Sequence, residues 1–399
     1  MSRPTTDEKW DNRLMSHMKA LCKDIGARPP TSKQERQGAE YVKKTLEQLG
    51  YQDIDEQKFH SQSSFGWATI PILLLSTLAM PLAWIGGQWG KFIGGLILMG
   101  SAYILREFLL GKRPFFQQWI ARGVSQNIIT KIAPAESAKR KVYLIGHLDT
   151  QKQRFLSPPP ITGLFPILVT SLILSLFFGG VFLFSDILLN RQGIAWWEWT
   201  VWALIAISLI SFLTDELQPH VEGANDNATA VSVLLTLAEI LRKQPLRSTE
   251  VTFLFTGCEE TICVGIESYL RQYKPPRENT YWIDLEMVGT DNLCYVTKHG
   301  VSHLTQYKPA PEMVQLAAQT AHKHPDLTLV GKEMVMVEEV ANLRNRDYKA
   351  ICLAGYNAKG YLPNWHRLSD TLENIDPCAL SRANDFTLAL LHEIDSLAN

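Results

Sequence analysis

The chain has 399 residues, 20% of them charged, and a formal net charge of −1, length enough for a large core in one or two domains. So even a balance offers no electrostatic footprint for nucleic acid, which is set aside as a partner. Six cysteines, at 22, 258, 263, 294, 352 and 378, form no CxxC pair; they fit reduced thiols better than a secreted disulfide scaffold.

The first residues, MSRPTTDEKWDNRL, are polar and carry both signs of charge. They lack an apolar h-region, so no signal peptide is expected. Two helices are predicted next, Asp7 to about Ile25 and Lys33 to Leu49, with Gly26 and Pro29-Pro30 between them and Gly50 as a C-terminal stop. From Ser61 to Gly90 there is no charged residue, and after Lys91 none until Arg106. A second uncharged run covers Phe155 to Ser185 and a third Trp199 to Thr214. A bilayer-spanning helix needs about 20 mostly apolar residues. Residues 66–86 and 161–185 reach that length, and the shorter 92–109 and 194–213 each follow one of them. We read two transmembrane helical hairpins, at 64–110 and 161–214, inserted into a domain built from 1–60, 111–160 and 215–399. Trp84, Trp89, Trp196, Trp197 and Trp199 cluster near the expected membrane boundaries. Pro71 and Pro81 predict kinks within the first span. A hairpin returns to the side it left, so the polar parts share one compartment. Arg106, Lys112, Arg113, Arg122, Lys152 and Arg154 flank that side, against Lys91 and Arg191 in the short connections. The bias places the polar domain on the cytoplasmic side.

With the hairpins set aside, β-rich runs at Asn127–Ile132, Val142–Gly146, Val251–Phe255, Tyr281–Val288 and Ile351–Leu353 alternate with helical segments at Ala228–Lys243, 315–324 and 376–397. Such alternation predicts an α/β fold: a mixed, mostly parallel twisted sheet with helices on both faces.

Five short stretches carry the chemistry. Gly223-Ala-Asn-Asp226-Asn227 precedes a helix with one apolar face, so Asp226 and Asn227 taken alone read as helix caps. The run 142–146 ends in His147-Leu-Asp149, at the strand edge where open α/β sheets bind ligands. There Asp149 can accept the second ring N–H of His147, as metal-bound imidazoles require; a purely structural His–Asp pair is the other reading. The doublet Glu259-Glu260 follows another buried strand. Adjacent carboxylates repel unless a cation or proton lies nearby, although such doublets also occur on solvated surfaces. Asp284 and Glu286, two apart on a strand, share one face. His366 and Asp370-Thr371 follow a loop rich in Gly and Pro.

In this order the motifs GHLD, GANDN, Glu-Glu, Met-Val-Gly and His-x-x-x-Asp-Thr resemble those of the zinc-dependent exopeptidase family, which includes bacterial leucyl aminopeptidases and glutamate carboxypeptidase. The resemblance covers most of residues 10–60 and 121–395. It implies two Zn2+ ions, with Co2+ or Mn2+ as substitutes, and a peptide substrate. His147 and Glu286 would hold one ion, Glu260 and His366 the other, and Asp226 would bridge them. Glu259 would be the general base, Asp149 would orient His147, and Asp370 would support the loop bearing His366. The family's usual Asp before Met-Val-Gly is Glu286 here, with Asp284 as the rival ligand. The hairpins stretch two of the family's intervals, and they imply a bilayer anchor or a homo-oligomer interface. Removal of N-terminal residues is the expected reaction. Glutaminyl-cyclase-like acyl transfer and a non-catalytic membrane receptor or assembly protein are the alternatives.

Overall fold

The structure, a computed structural model, describes residues 8–397 apart from 115, 156–160 and 291. The predicted helix start at Asp7 and the part of the second uncharged run over 156–160 lie outside the described residues. In chain order the helices are α1 Glu8–Lys19, α2 Lys33–Gln48, α3 Gly66–Ile85, α4 Gly87–Leu109, α5 Gln117–Ile120, α6 Ile161–Leu188 and α7 Trp196–Glu216. They continue with α8 Thr229–Lys243, α9 Val264–Tyr273, α10 Pro311–Lys323, α11 Val340–Arg344 and α12 Pro377–Asp395. The strands are β1 Ile54–Ser61, β2 Gly123–Ile132, β3 Arg140–His147, β4 Thr249–Thr256, β5 Thr280–Glu286, β6 Asn292–Lys298, β7 Val330–Glu333 and β8 Lys349–Tyr356.

The eight strands form one mixed sheet in the order β1-β2-β4-β3-β5-β8-β6-β7. Its centre, β4-β3-β5-β8, is parallel. Parallel strands need both faces covered, and β5 is buried along its whole length. Strand alternation divides the core accordingly. Val142 and Leu144 face α1, α2, α8, α10 and α12, whereas Tyr143 and Ile145 face α9 and α11. Six elements escaped the sequence reading: β1, β6, β7, α5, α9 and α11. The run of β1, IDEQKFHS, is mostly polar because it lies at the sheet edge, so it lacks the apolar signal of a buried strand.

His17 on α1 is 7% exposed, and its Nδ1 lies 2.7 Å from the Tyr41 hydroxyl. Burial, with Arg13 adding to it and Glu239 opposing, lowers the imidazole from 6.5 to about 4. The unfolded chain therefore binds more protons between those values, so this stability is complete above pH 6.5 and is lost as pH falls toward 4. We expect about 2 kcal/mol to be gone by pH 5. Thermal melts of His17→Gln should show a shallower fall between pH 7 and pH 5; an unchanged fall would assign it to other groups.

Four helices, α3, α4, α6 and α7, are long and apolar enough to cross a membrane. They pack on one another through Leu73, Leu98, Leu176 and Ile205, all fully buried. Their outer surfaces carry Leu78, Ile85, Ile167, Ile207 and Ile210, each more than half exposed, a larger apolar face than water-soluble monomers tolerate. Pro71 and Pro81 lie within the continuous helix α3. α4 and α6 approach closely at Gly95 and Gly180, where an added Cβ on Gly180 would sit 2.7 Å from the Gly95 carbonyl oxygen, the small-residue contact of apolar helix pairs. Because β1 and β3 both end at the same edge of the sheet, the hairpins that follow them stand over that edge.

Candidate metal centre

That edge is where the chemistry-bearing side chains meet. β3 ends at His147 and β5 at Glu286, while β4 passes into the loop that carries Glu259 and Glu260. His147 sits in register with Thr256, so the Glu259-Glu260 loop begins beside the imidazole. Asp226 arrives from the turn before α8. This turn needs Gly223, whose φ is +68° and whose missing Cβ would lie 2.1 Å from the Thr150 methyl. The capping reading of Asp226 does not hold: α8 starts at Thr229 with no side-chain cap, and Asp226 and Asn227 have non-helical backbone. Freed from the helix terminus, the Asp226 carboxylate points into the site.

Asp226 holds the centre. Its Oδ1 lies 3.2 Å from Nε2 of His147 and its Oδ2 3.5 Å from Nε2 of His366. Glu286 Oε2 is 3.6 Å from His147 Nε2, and Glu260 Oε2 is 3.3 Å from His366 Nε2. Two triads result, His147–Asp226–Glu286 and Asp226–Glu260–His366, each with its ligand atoms within 4.8 Å of one another. A third group, His147 with Glu259 and Glu260, overlaps both. Asp284 is not brought into these groups. It shares the strand face of Glu286 but sits two residues, roughly 6.6 Å, farther from the edge. It is fully buried with neither carboxylate oxygen hydrogen-bonded, and burial and then Glu286 push it well above the usual carboxylate range.

The donor set fits a pair of divalent cations. One oxygen each of Glu260 and Glu286 is buried without a hydrogen-bond donor, and two imidazoles with carboxylates suit zinc. Burial, against the pull of His147, lifts Glu286 to about 7. Burial and then Asp226 raise Glu260. Glu259 is raised well above its ordinary value by burial, opposed by His147 and reinforced by Glu260 and Glu286. Asp226 alone is lowered, because hydrogen bonding and charge from His147 outweigh its burial. Acids this crowded retain protons unless cations replace them.

The supporting hydrogen bonds differ from the expected ones. The Asp149 carboxylate stands 3.6 Å from His147 Nδ1, whereas the Asp149 backbone carbonyl is at 3.1 Å. Its carboxylate oxygens instead accept the backbone N–H groups of Glu259 and Glu260, both at 3.0 Å. Asp149 therefore fixes the acidic loop, and its main chain orients the imidazole. Asp370 accepts the N–H groups of Asn225 at 2.7 Å and Asp226 at 3.1 Å, which pins the Asp226 turn rather than the His366 loop alone. Three positioning residues had not been singled out for a role at the site. Asn227 donates to Glu286 Oε2 at 3.1 Å and to the Leu285 carbonyl at 2.8 Å. Gln151 donates to Glu260 Oε2 at 3.0 Å. The buried Arg28 donates to the carbonyls of Leu148 at 2.8 Å and Gly223 at 2.9 Å, joining the two loops that carry His147 and Asp226. Asn227 was signalled by its place in the GANDN motif; Arg28, alone in a Gly/Pro loop, carried no local signal.

Residues 210–391 match the model of Peptidase family M28, a segment holding Asp226, Glu259, Glu260, Glu286 and His366 but not His147. A Caenorhabditis elegans protein, "Putative endoplasmic reticulum metallopeptidase 1-B", is 25% identical over 183 residues, 44% of this chain and 19% of its own length. The "Probable lipoprotein aminopeptidase LpqL" of Mycobacterium tuberculosis is 25% identical over 187 residues, 41% of this chain and 37% of its own. The matches thus span well under half of these curated relatives. Among solved structures, a leucine aminopeptidase precursor from Bacteroides thetaiotaomicron superposes with a TM-score of 0.56 at 16% identity, covering 96% of both chains. A glutaminyl cyclase from the same organism superposes with a TM-score of 0.57 at 16% identity, covering 98% of this chain and 99% of its own. At such identities the likeness establishes the fold, which serves both reactions.

Proposed function

We propose that the chain is a membrane-anchored aminopeptidase of the zinc-dependent exopeptidase kind whose centre holds two zinc ions, a reading supported by the match of residues 210–391 to Peptidase family M28. The observation that carries the reading is the Asp226 carboxylate, with one oxygen toward each imidazole. His147 and Glu286 would hold one ion, His366 and Glu260 the other, with Asp226 shared. When bound, the ions supply Lewis acidity toward a water and the scissile carbonyl. The protein's own residues do the rest. Glu259, beside both triads, takes the proton of the attacking water and delivers it to the leaving amine. Asp149 and Asp370 hold the Glu259-Glu260 loop and the Asp226 turn through backbone N–H groups, so the carboxylates keep their places as charge is exchanged. Anchoring is supported by the four long apolar helices and their exposed apolar surfaces. The Lys and Arg excess at the catalytic end favours a cytoplasmic site.

A second reading, cyclisation of N-terminal glutamine, draws on the shared fold with the cyclase. One experiment separates the two. Purified, detergent-solubilised protein is assayed for zinc by elemental analysis, then offered a panel of aminoacyl reporter amides and a peptide with N-terminal Gln. We expect two zinc ions per chain and release of the reporter amine. One ion per chain with ring closure of the glutaminyl peptide would install the cyclase reading in its place.

A further inference from the structure

The hairpins do more than stand over the catalytic edge. An apolar chamber of about 280 Å3 runs from Glu259, Glu260 and His366 into the helical bundle, lined there by Phe65, Leu105, Leu172 and Phe212. All four apolar helices contribute to its wall. The bundle packs in the order α6-α4-α3-α7, and α6 and α7 touch each other least among these neighbours. Leu168 of α6 lines the chamber, and Leu164 one turn before it does not line it yet is 48% exposed, so the chamber borders the outer apolar face on the α6 side. At the inner end the chamber is joined firmly to the metal ligands. Trp365 lies between Phe165 of α6, at 5.9 Å between ring centres, and His366, at 4.6 Å. Arg154 sits over the Phe65 ring at 5.4 Å and donates to Gln151, which in turn donates to Glu260. On the other hairpin, Glu216 of α7 accepts from Ser64 at 2.8 Å and pairs with Lys152 at 2.9 Å.

Resting on the peptidase reading above, we propose that the hairpins form the substrate's side-chain site. The substrates are then peptides whose N-terminal residue is large and apolar, and they are admitted from the bilayer through the α6 side of the bundle. The chamber lies just below the size of drug-binding cavities, so it takes one or two extended side chains and no folded partner. Away from the site carboxylates and the paired Arg154 and Asp215, the wall is mostly apolar, which favours hydrocarbon, since a polar side chain would lose its water for few hydrogen bonds. The scissile amide would then lie at Glu259, where the chamber meets the two triads.

The test compares kcat/KM for leucyl, 2-aminodecanoyl and alanyl reporter amides in protein reconstituted into nanodiscs. Wild type should favour leucyl over alanyl by roughly 10–200-fold, as apolar pockets discriminate, and 2-aminodecanoyl at least equally. Filling the chamber with Leu172→Trp or Ser211→Phe should cut that preference at least about 10-fold, mainly through KM for the long substrate. Ile207→Trp, on the outer face at 65% exposure, should keep the wild-type preference. Hydrolysis of all three amides with the preference unmoved by filling would overturn the chamber assignment and leave the peptidase reading standing. Silence of zinc-loaded wild type toward every amide would instead sink the peptidase reading. A diazirine-bearing alkyl amino-acid amide then tests the chamber without turnover. Photolabel on α6 or α7 residues supports it, and label confined to the sheet domain overturns it.

Discussion

Glu259→Gln should lower kcat by roughly 10²–10⁴-fold, the range of a positioned general base, while zinc content stays at the wild-type level. The carboxylate lies beside both triads without completing either of the two that share Asp226. Its Oε2 is 4.0 Å from His147 Nε2, the longest of the His147 pairings, and its Oε1 accepts from Cys263 Sγ at 3.2 Å. Glutamine keeps the shape and that contact but cannot carry a proton between water and amine. A loss expressed in kcat with little change in KM marks a group acting in the transition state. Elemental analysis beside steady-state kinetics reads both quantities. Wild-type kcat in this variant would refute the role, and loss of zinc would move Glu259 into the ligand set.

Asp226→Asn should have a different signature. It removes charge from the one side chain shared by both triads, so zinc should fall below one ion per chain. kcat/KM should drop by more than about 100-fold, beyond the 10–100-fold typical of groups that only orient ligands. Ligand binding stabilises a fold by RT ln(1 + [L]/Kd), about 2.7 kcal/mol at a hundredfold excess over Kd. A chelator should therefore lower the melting temperature of wild type and leave that of Asp226→Asn unmoved. Retention of two ions by the variant would end the bridging assignment. Glu259→Gln, by contrast, should keep the chelator response in full, so the two variants separate proton transfer from metal retention.

Several features of the molecule were legible in the residues themselves. Uncharged runs mark α3, α4, α6 and α7, and those of α3 and α6 reach the length a bilayer-spanning helix needs. His147, Glu259, Glu260 and Glu286 announced themselves through short motifs after strands, where an α/β sheet exposes ligands, and Asp226 and His366 through the GANDN and His-x-x-x-Asp-Thr motifs. The edge strand β1 did not, since a strand with one neighbour and one wet face has no apolar signature. Roles carried by hydrogen bonds were equally hidden. The geometry of Asp149, which turns its carboxylate to two backbone N–H groups and its carbonyl to His147, depends on loops 110 residues apart meeting.

The choice between Asp284 and Glu286 shows the division of labour. Period-two alternation places both on one strand face, and only the rise of the strand relative to His147 sets which reaches the centre. Arg28 and Gln151 serve partners distant in sequence, so no local pattern could have found them. The chamber is the fullest case. Each hairpin by itself reads as an anchor, and the chamber's wall forms because both insertions leave the sheet at the same edge, with α6 and α7 packed least closely among the bundle's neighbours. Local composition and motif spacing picked out the long apolar helices and the chemistry-bearing residues; the folding of separate segments onto one edge decided which of them act together.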